Sequence, residues 1–230
     1  MGVLKFLPIL LAIGYGIAVY RFSAWRTARE LDEKSTELAD PRLLAATRKL
    51  AEALDLPRIK VNLYEIDAVN GLAAPDGRIF LTRGFYDKFR SGAVSAEEMA
   101  SVIAHELGHV ALGHTKRRMI DFSGQNAVRT ALALLLNRVL PGIGGYLATG
   151  LVSLVAAKMS RGDEYEADAY ATALMMKAGL GAGPQKSMFR KLEGLSGGRG
   201  GATPAWLLSH PRTDERIKAI EENEAKWLAG

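Results

Sequence analysis

The segment His105-Glu106-Leu107-Gly108-His109 decides how the rest of this 230-residue chain is read. It is H-E-x-x-H inside a stretch of helical character, opened by Ser95 with Glu98 three residues on, a capping-box pair. At 3.6 residues per turn, positions four apart lie one above the other, so His105 and His109 can present both imidazoles to one ion. Glu106 lies beside that face and can reach a water on the ion, where a general base belongs. Met99, Val102, Ile103 and Val110 give the helix a buried face, which places the histidines on a rigid element. Two histidines alone leave a catalytic zinc site short of a third protein ligand.

Spacing narrows the search for that ligand. A metzincin would put Gly three and His six residues after His109, but those positions hold Leu112 and Thr115. His114 follows His109 by five residues, rotated about 140° round a helix, and is assigned to the helix end instead. Further on, Ser160-Arg161-Gly162-Asp163-Glu164-Tyr165-Glu166-Ala167-Asp168 sets Glu164 and Asp168 four apart, on one helical face. One carboxylate can ligate the ion while the other accepts the free N–H of a ligating histidine. Asp163 and Glu166 project elsewhere and are expected to be solvated. The competing account is an acidic helix start that merely complements the helix dipole.

Around this centre the chain reads as one ordinary domain of α+β class, mostly helical with a small sheet. Its 48% hydrophobic and 24% charged residues are globular rather than disordered proportions. The absence of Cys excludes disulfides, thiolate zinc ligands and a Cys nucleophile. The +5 net charge is modest, and without a nucleic-acid motif it indicates no nucleic-acid partner. Val3 to Tyr20 is almost wholly apolar and is followed by Arg21, Arg26 and Arg29, with Phe22 and Trp25 at interface positions. Residues 1–25 are therefore expected to be a single membrane anchor, the alternative being a signal segment cleaved near Gly16-Ile17-Ala18. Residues 26–230 form the remainder.

In order, Thr27 to Leu38 reads as a charged helix, and Asp40-Pro41 as an N-cap with Pro at the first helical position. Ile59 to Ile66 and Arg78 to Thr82 read as strands, separated by turns at Asn70-Gly71 and Asp76-Gly77. Ala127 to Met159 is expected to form two buried helices covering the site, with a membrane-dipping hairpin as the lesser reading. Gly194 to Thr203 is a glycine-rich loop leading to Ser209-His210-Pro211 and a last helix through Trp227.

H-E-x-x-H followed, after two apolar helices, by S-R-x-x-E-x-x-A-D resembles the zinc metallopeptidase family that includes the CAAX prenyl protease and the heat-shock protease HtpX. The resemblance runs from Asn70 to Ile217. Asn70 to Gly84 is similar to that family's strand beside the active site, and His210-Pro211 with Arg216 to its C-terminal H-P motif. It implies a zincin-like fold, one Zn2+ per chain, Glu164 as third ligand beside His105 and His109, and Asp168 as the carboxylate supporting a ligand histidine. The chain looks closer to short, single-anchor or exported members than to multi-span ones.

The activity so implied is endopeptidase action on protein or peptide substrates, with Glu106 as base. His210 is expected to donate to the developing oxyanion, to sit on zinc as a gate, or to do neither; Arg216 to pair with a site carboxylate or lie on the surface. An extended substrate is expected to add to the edge strand around Arg78 to Thr82. The competing functions are a catalytically silent, zinc-containing membrane chaperone or scaffold, and a hydrolase of non-peptide amides.

Overall fold

Local signals start the two helices that matter most. Asp40 caps α2 (Pro41–Ala53) by accepting the Arg42 backbone N–H at 2.9 Å. Ser95 and Glu98 cap α4 (Ala96–Ala111) reciprocally, Ser95 Oγ accepting from the Glu98 N–H at 3.1 Å and the Glu98 carboxylate from the Ser95 N–H at 2.8 Å. Such a box contributes on the order of 1 kcal/mol. Glu98 extends it into a tertiary clasp, because Ser187 Oγ and Lys191 Nζ donate to the same carboxylate at 2.6 and 2.8 Å from α7 (Gly183–Lys191). Burial disfavours the Glu98 charge, yet these donors and Lys191's charge hold its carboxyl below the usual range.

The computed structural model describes residues 7–74, 76–192, 195, 210 and 214–229. Before α2 come α1 (Leu7–Glu33) and β1 (Ser35–Glu37); after it come β2 (Val61–Tyr64), β3 (Gly71–Ala73), β4 (Ile79–Thr82) and α3 (Arg83–Arg90). Beyond α4 lie α5 (His114–Val139), α6 (Gly144–Lys177), α7 and α8 (Asp214–Ala229). The class is α+β and mostly helical, as the sequence implies. Contacts divide the chain into two compact units, Met1–Glu30 with His114–Gly162, and Leu31–Gly113 with Asp163–Gly230.

The second unit contains the sheet, in order β1-β2-β4-β3. β1 pairs antiparallel with β2, β2 parallel with β4, and β3 antiparallel with β4. Ile79 and Leu81 of β4, Phe85 of α3, Met99 and Ile103 of α4 and Leu50 of α2 are essentially inaccessible and pack in one core. Full burial of each such side chain contributes roughly 1.5–3 kcal/mol.

Two expectations for the sheet change. Thr27 to Leu38 is not all helix, since Ser35–Glu37 leaves α1 to pair with β2. The strand around Arg78 to Thr82 is not an edge, because β4 is flanked on both sides. The free edge on that side is β3, laid against α4. Its bonds to β4 run through Thr82 N–H to Asn70 C=O (3.0 Å) and Ala74 N–H to Arg78 C=O (2.8 Å). Antiparallel alternation then turns the backbone N–H and C=O of Gly71 and Ala73 away from β4.

The first unit departs from expectation in exposure. The helices predicted between Ala127 and Met159 are present, but Leu135, Val139 and Tyr146 are 63%, 77% and 81% exposed rather than buried. No helix among the described residues is long and apolar enough to cross a membrane. The expected transmembrane helix is therefore not supported; residues 3–6 of that run, and all of the 194–203 loop except Leu195, lie outside the described residues.

Candidate metal centre

Gly108 is what lets α4 approach α6. A Cβ there would stand 3.1 Å from the Ala167 backbone and 3.2 Å from Tyr170 Cβ, tighter than side chains normally sit. This contact brings Glu164 and Asp168 of α6 to the histidines of α4. The carboxylates lie inside an unbroken helix from Gly144 to Lys177, so the account of them as a helix start complementing a dipole falls away. Asp163, expected in solvent, is buried, whereas Glu166 is exposed as expected.

His105 Nε2, His109 Nε2 and the Glu164 carboxylate converge, each histidine nearest a different oxygen. The two nitrogens are 3.1 Å apart, His105 Nε2 lies 3.4 Å from Glu164 Oε2, and His109 Nε2 lies 3.5 Å from Glu164 Oε1. Tetrahedral bonds of 2.0–2.2 Å require donors about 3.3–3.6 Å apart; both nitrogen–oxygen separations fall in that range and the nitrogen–nitrogen one is slightly shorter, so the cluster is close to the dimensions of a zinc site. His210 adds a fourth donor, its Nδ1 2.8 Å from Glu164 Oε2 and 3.3 Å from His105 Nε2. His105, His109, Glu164 and His210 form a buried group that could hold a metal ion. His114 stands apart from this group and opens α5.

The back of the site is fixed by Asp168 and Arg216. Asp168 Oδ1 accepts the His105 Nδ1–H at 2.9 Å, so Nε2 is the nitrogen that faces the centre and would offer its lone pair to an ion on losing its proton. Arg216 of α8 donates to both Asp168 oxygens, Nε at 2.7 Å and Nη2 at 2.9 Å, and its Nη2 lies 3.3 Å from Glu164 Oε2. Its guanidinium also sits 4.8 Å over the Phe189 ring. At 2% exposure Arg216 belongs to the site, not to the surface. Below it, Thr172 Oγ1 and Gln185 Nε2 donate to the Asp168 carbonyl.

The electrostatics favour a cation. Burial penalises a charged His105, but hydrogen bonds with Asp168 and Glu164 outweigh it and raise its pKa to about 9. Burial likewise opposes the Glu164 charge, and the hydrogen bonds with His105 and His210 overcome it and hold the carboxyl far below the ordinary carboxylate range. Arg216 is raised, its own desolvation outweighed by Asp168 and Glu164. Beside them Glu106 is 1% exposed, and its buried Oε1 lies 3.5 Å from His210 Nε2 and makes no hydrogen bond among the described residues. A buried carboxylate oxygen with no hydrogen bond is costly, and a catalytic base is the kind of group for which that cost persists.

Every proposed site residue is thus brought together: His105, Glu106, His109, Glu164, Asp168 and His210. Sequence reasoning undervalued Arg216, for which the signal was its place six residues after His210. It missed the clasp of Ser187 and Lys191 on Glu98, for which no local pattern exists.

Residues 37–224 match the model of peptidase family M48. The chain belongs to that family. It is 31% identical to metalloprotease LoiP of Escherichia coli (strain K12) over 208 residues, covering 86% of this chain and 77% of that protein. Metalloprotease YcaL of the same organism is 29% identical over 187 residues, covering 80% and 69%. Protease HtpX of Alkalilimnicola ehrlichii is 25% identical over 258 residues, covering 94% and 83%. This M48 chain is accordingly a metalloprotease, and its family implies a bound metal.

Proposed function

We propose that this M48 peptidase is a zinc-dependent endopeptidase of protein substrates, working at a membrane. His105, His109 and Glu164 are its ligands, and Asp168 orients His105 through Nδ1. The observation that carries this reading is the convergence of His105 Nε2, His109 Nε2 and the Glu164 carboxylate, at separations of 3.1, 3.4 and 3.5 Å, beside the buried carboxylate of Glu106. When bound, zinc supplies Lewis acidity toward the scissile carbonyl and lowers the pKa of the attacking water. Glu106 takes the proton from that water and passes it to the leaving amine. His210 would be a fourth donor to a bound ion through Nδ1, and its Nε2, 3.5 Å from Glu106 Oε1, would be placed to donate to a developing oxyanion.

Substrate enters as an extended strand on the free edge of β3, bonding to the backbone of Gly71 and Ala73. Gly71 supports this placement: a Cβ at that position would lie 2.9 Å from Val102 Cγ1 and 3.7 Å from Glu106 Cγ, so its absence brings the edge close to the base. The membrane location draws on the apolar run Val3 to Tyr20 and on Arg21, Arg26 and Arg29 behind it. The test is proteolysis of an unfolded model protein by wild type and Glu106→Gln at equal zinc content. Loss of about 10²–10⁴ in kcat is expected; equal rates would remove the mechanism and return the chaperone reading.

A further inference from the structure

The chain divides its charge unequally. The unit Met1–Glu30 with His114–Gly162 holds eleven Lys and Arg against only Glu30 and Asp121, a net of +9. Since the whole chain carries +5, the other unit stands at −4. In the positive unit Arg21, Arg26, Arg117, Arg129, Arg138 and Arg161 are all exposed.

The same unit exposes apolar side chains where α5 turns into α6. The turn closes with Ile143 and Gly144 N–H donating to the Leu140 carbonyl at 3.4 and 3.1 Å. Around it Leu135, Val139, Ile143, Tyr146 and Leu151 are each more than half exposed. Arg138 is the only charged residue from Leu135 to Leu151. Tyr15, Phe22 and Trp25 of α1 are exposed as well.

An apolar tip on a strongly cationic body fits one kind of surface. Two copies meeting through this same face would bring +9 against +9, and a nucleic acid has no use for the exposed aliphatic residues. An anionic lipid surface satisfies both, taking apolar side chains into the headgroup boundary while its charge attracts Arg and Lys. With no helix among the described residues long and apolar enough to cross, the contact lies in the plane of the interface.

From this we infer that the α5–α6 hairpin tip docks onto an anionic bilayer surface as a membrane contact additional to the N-terminal segment. The inference rests on the membrane-associated reading above and can fail separately from it. The full chain is Cys-free, so Tyr146→Cys provides a unique site for an environment-sensitive fluorophore, with Lys218→Cys on exposed α8 as control. Vesicles of phosphatidylcholine with about one third phosphatidylglycerol are compared with phosphatidylcholine alone, by flotation and by emission of the label. Expected are a blue shift at position 146 and not at 218, binding about ten-fold stronger to the anionic vesicles, and loss of the shift in Val139→Asp/Ile143→Asp and at high salt. Flotation without a shift at 146 overturns the hairpin contact while the N-terminal contact survives. No flotation overturns both. A shift without vesicles, accompanied by a doubled mass in light scattering, overturns the lipid in favour of a second copy.

Discussion

The unit Leu31–Gly113 with Asp163–Gly230 buries Glu98, His105, Glu106, His109, Glu164, Asp168, His210 and Arg216, whereas the unit Met1–Glu30 with His114–Gly162 leaves Leu135, Val139 and Tyr146 facing outward. Each inverts the usual placement of polar and apolar groups, in opposite directions. Burying ions is tolerated where each meets a counter-ion or a donor: Arg216 meets Asp168, Lys191 meets Glu98, and His105 meets Asp168. Glu106 Oε1 meets His210 Nε2 at 3.5 Å, without a hydrogen bond among the described residues. Exposing large apolar groups has no such internal remedy. The lesson is that function can be sought in either inversion, as chemistry in one and as contact in the other.

Substitutions should separate the two units sharply. Glu164→Gln is expected to have the largest effect, lowering zinc retained per chain at least about ten-fold while the fold persists; metal analysis after dialysis checks it, and full retention would break the assignment of the third ligand. Arg216→Met removes the partner of a buried carboxylate and should cost about 3–5 kcal/mol in urea unfolding. A cost below about 1 kcal/mol would mean that Asp168 finds its compensation elsewhere. Gly71→Val forces a side chain onto Val102 beside Glu106 and should cost about 1–3 kcal/mol, with kcat/KM for an extended peptide falling more than zinc content does. Val139→Asp in the exposed hairpin should change stability by less than about 0.5 kcal/mol and leave hydrolysis of a soluble peptide unaltered. A large loss there would show that the hairpin's apolar residues are packed after all.

How much of this was legible in the sequence follows the range of each signal. The Ser95–Glu98 box and the Asp40–Pro41 start were readable because they act within one turn of chain. His105, His109, Glu164 and Asp168 were readable because a four-residue spacing fixes a shared face. The helical pattern did not reveal that the hairpin lies exposed, since periodicity reports an apolar face and not what covers it. β1 and β3 are three residues long, too short for alternation to register, and exist through pairing with β2 and β4. Strand order is a tertiary fact, and for that reason the substrate edge was assigned to Arg78–Thr82 and not to Gly71–Ala73.

Within β3, Gly71 and Ala73 turn their backbone groups outward, so a peptide laid there, as proposed, finds two rungs among the described residues. A grip that short cannot draw a strand out of a folded sheet, where every rung is already matched by a neighbour. The segments it can hold are those whose backbone has already come free. Selection at this edge would then respond to a client's loss of structure before any side chain is read.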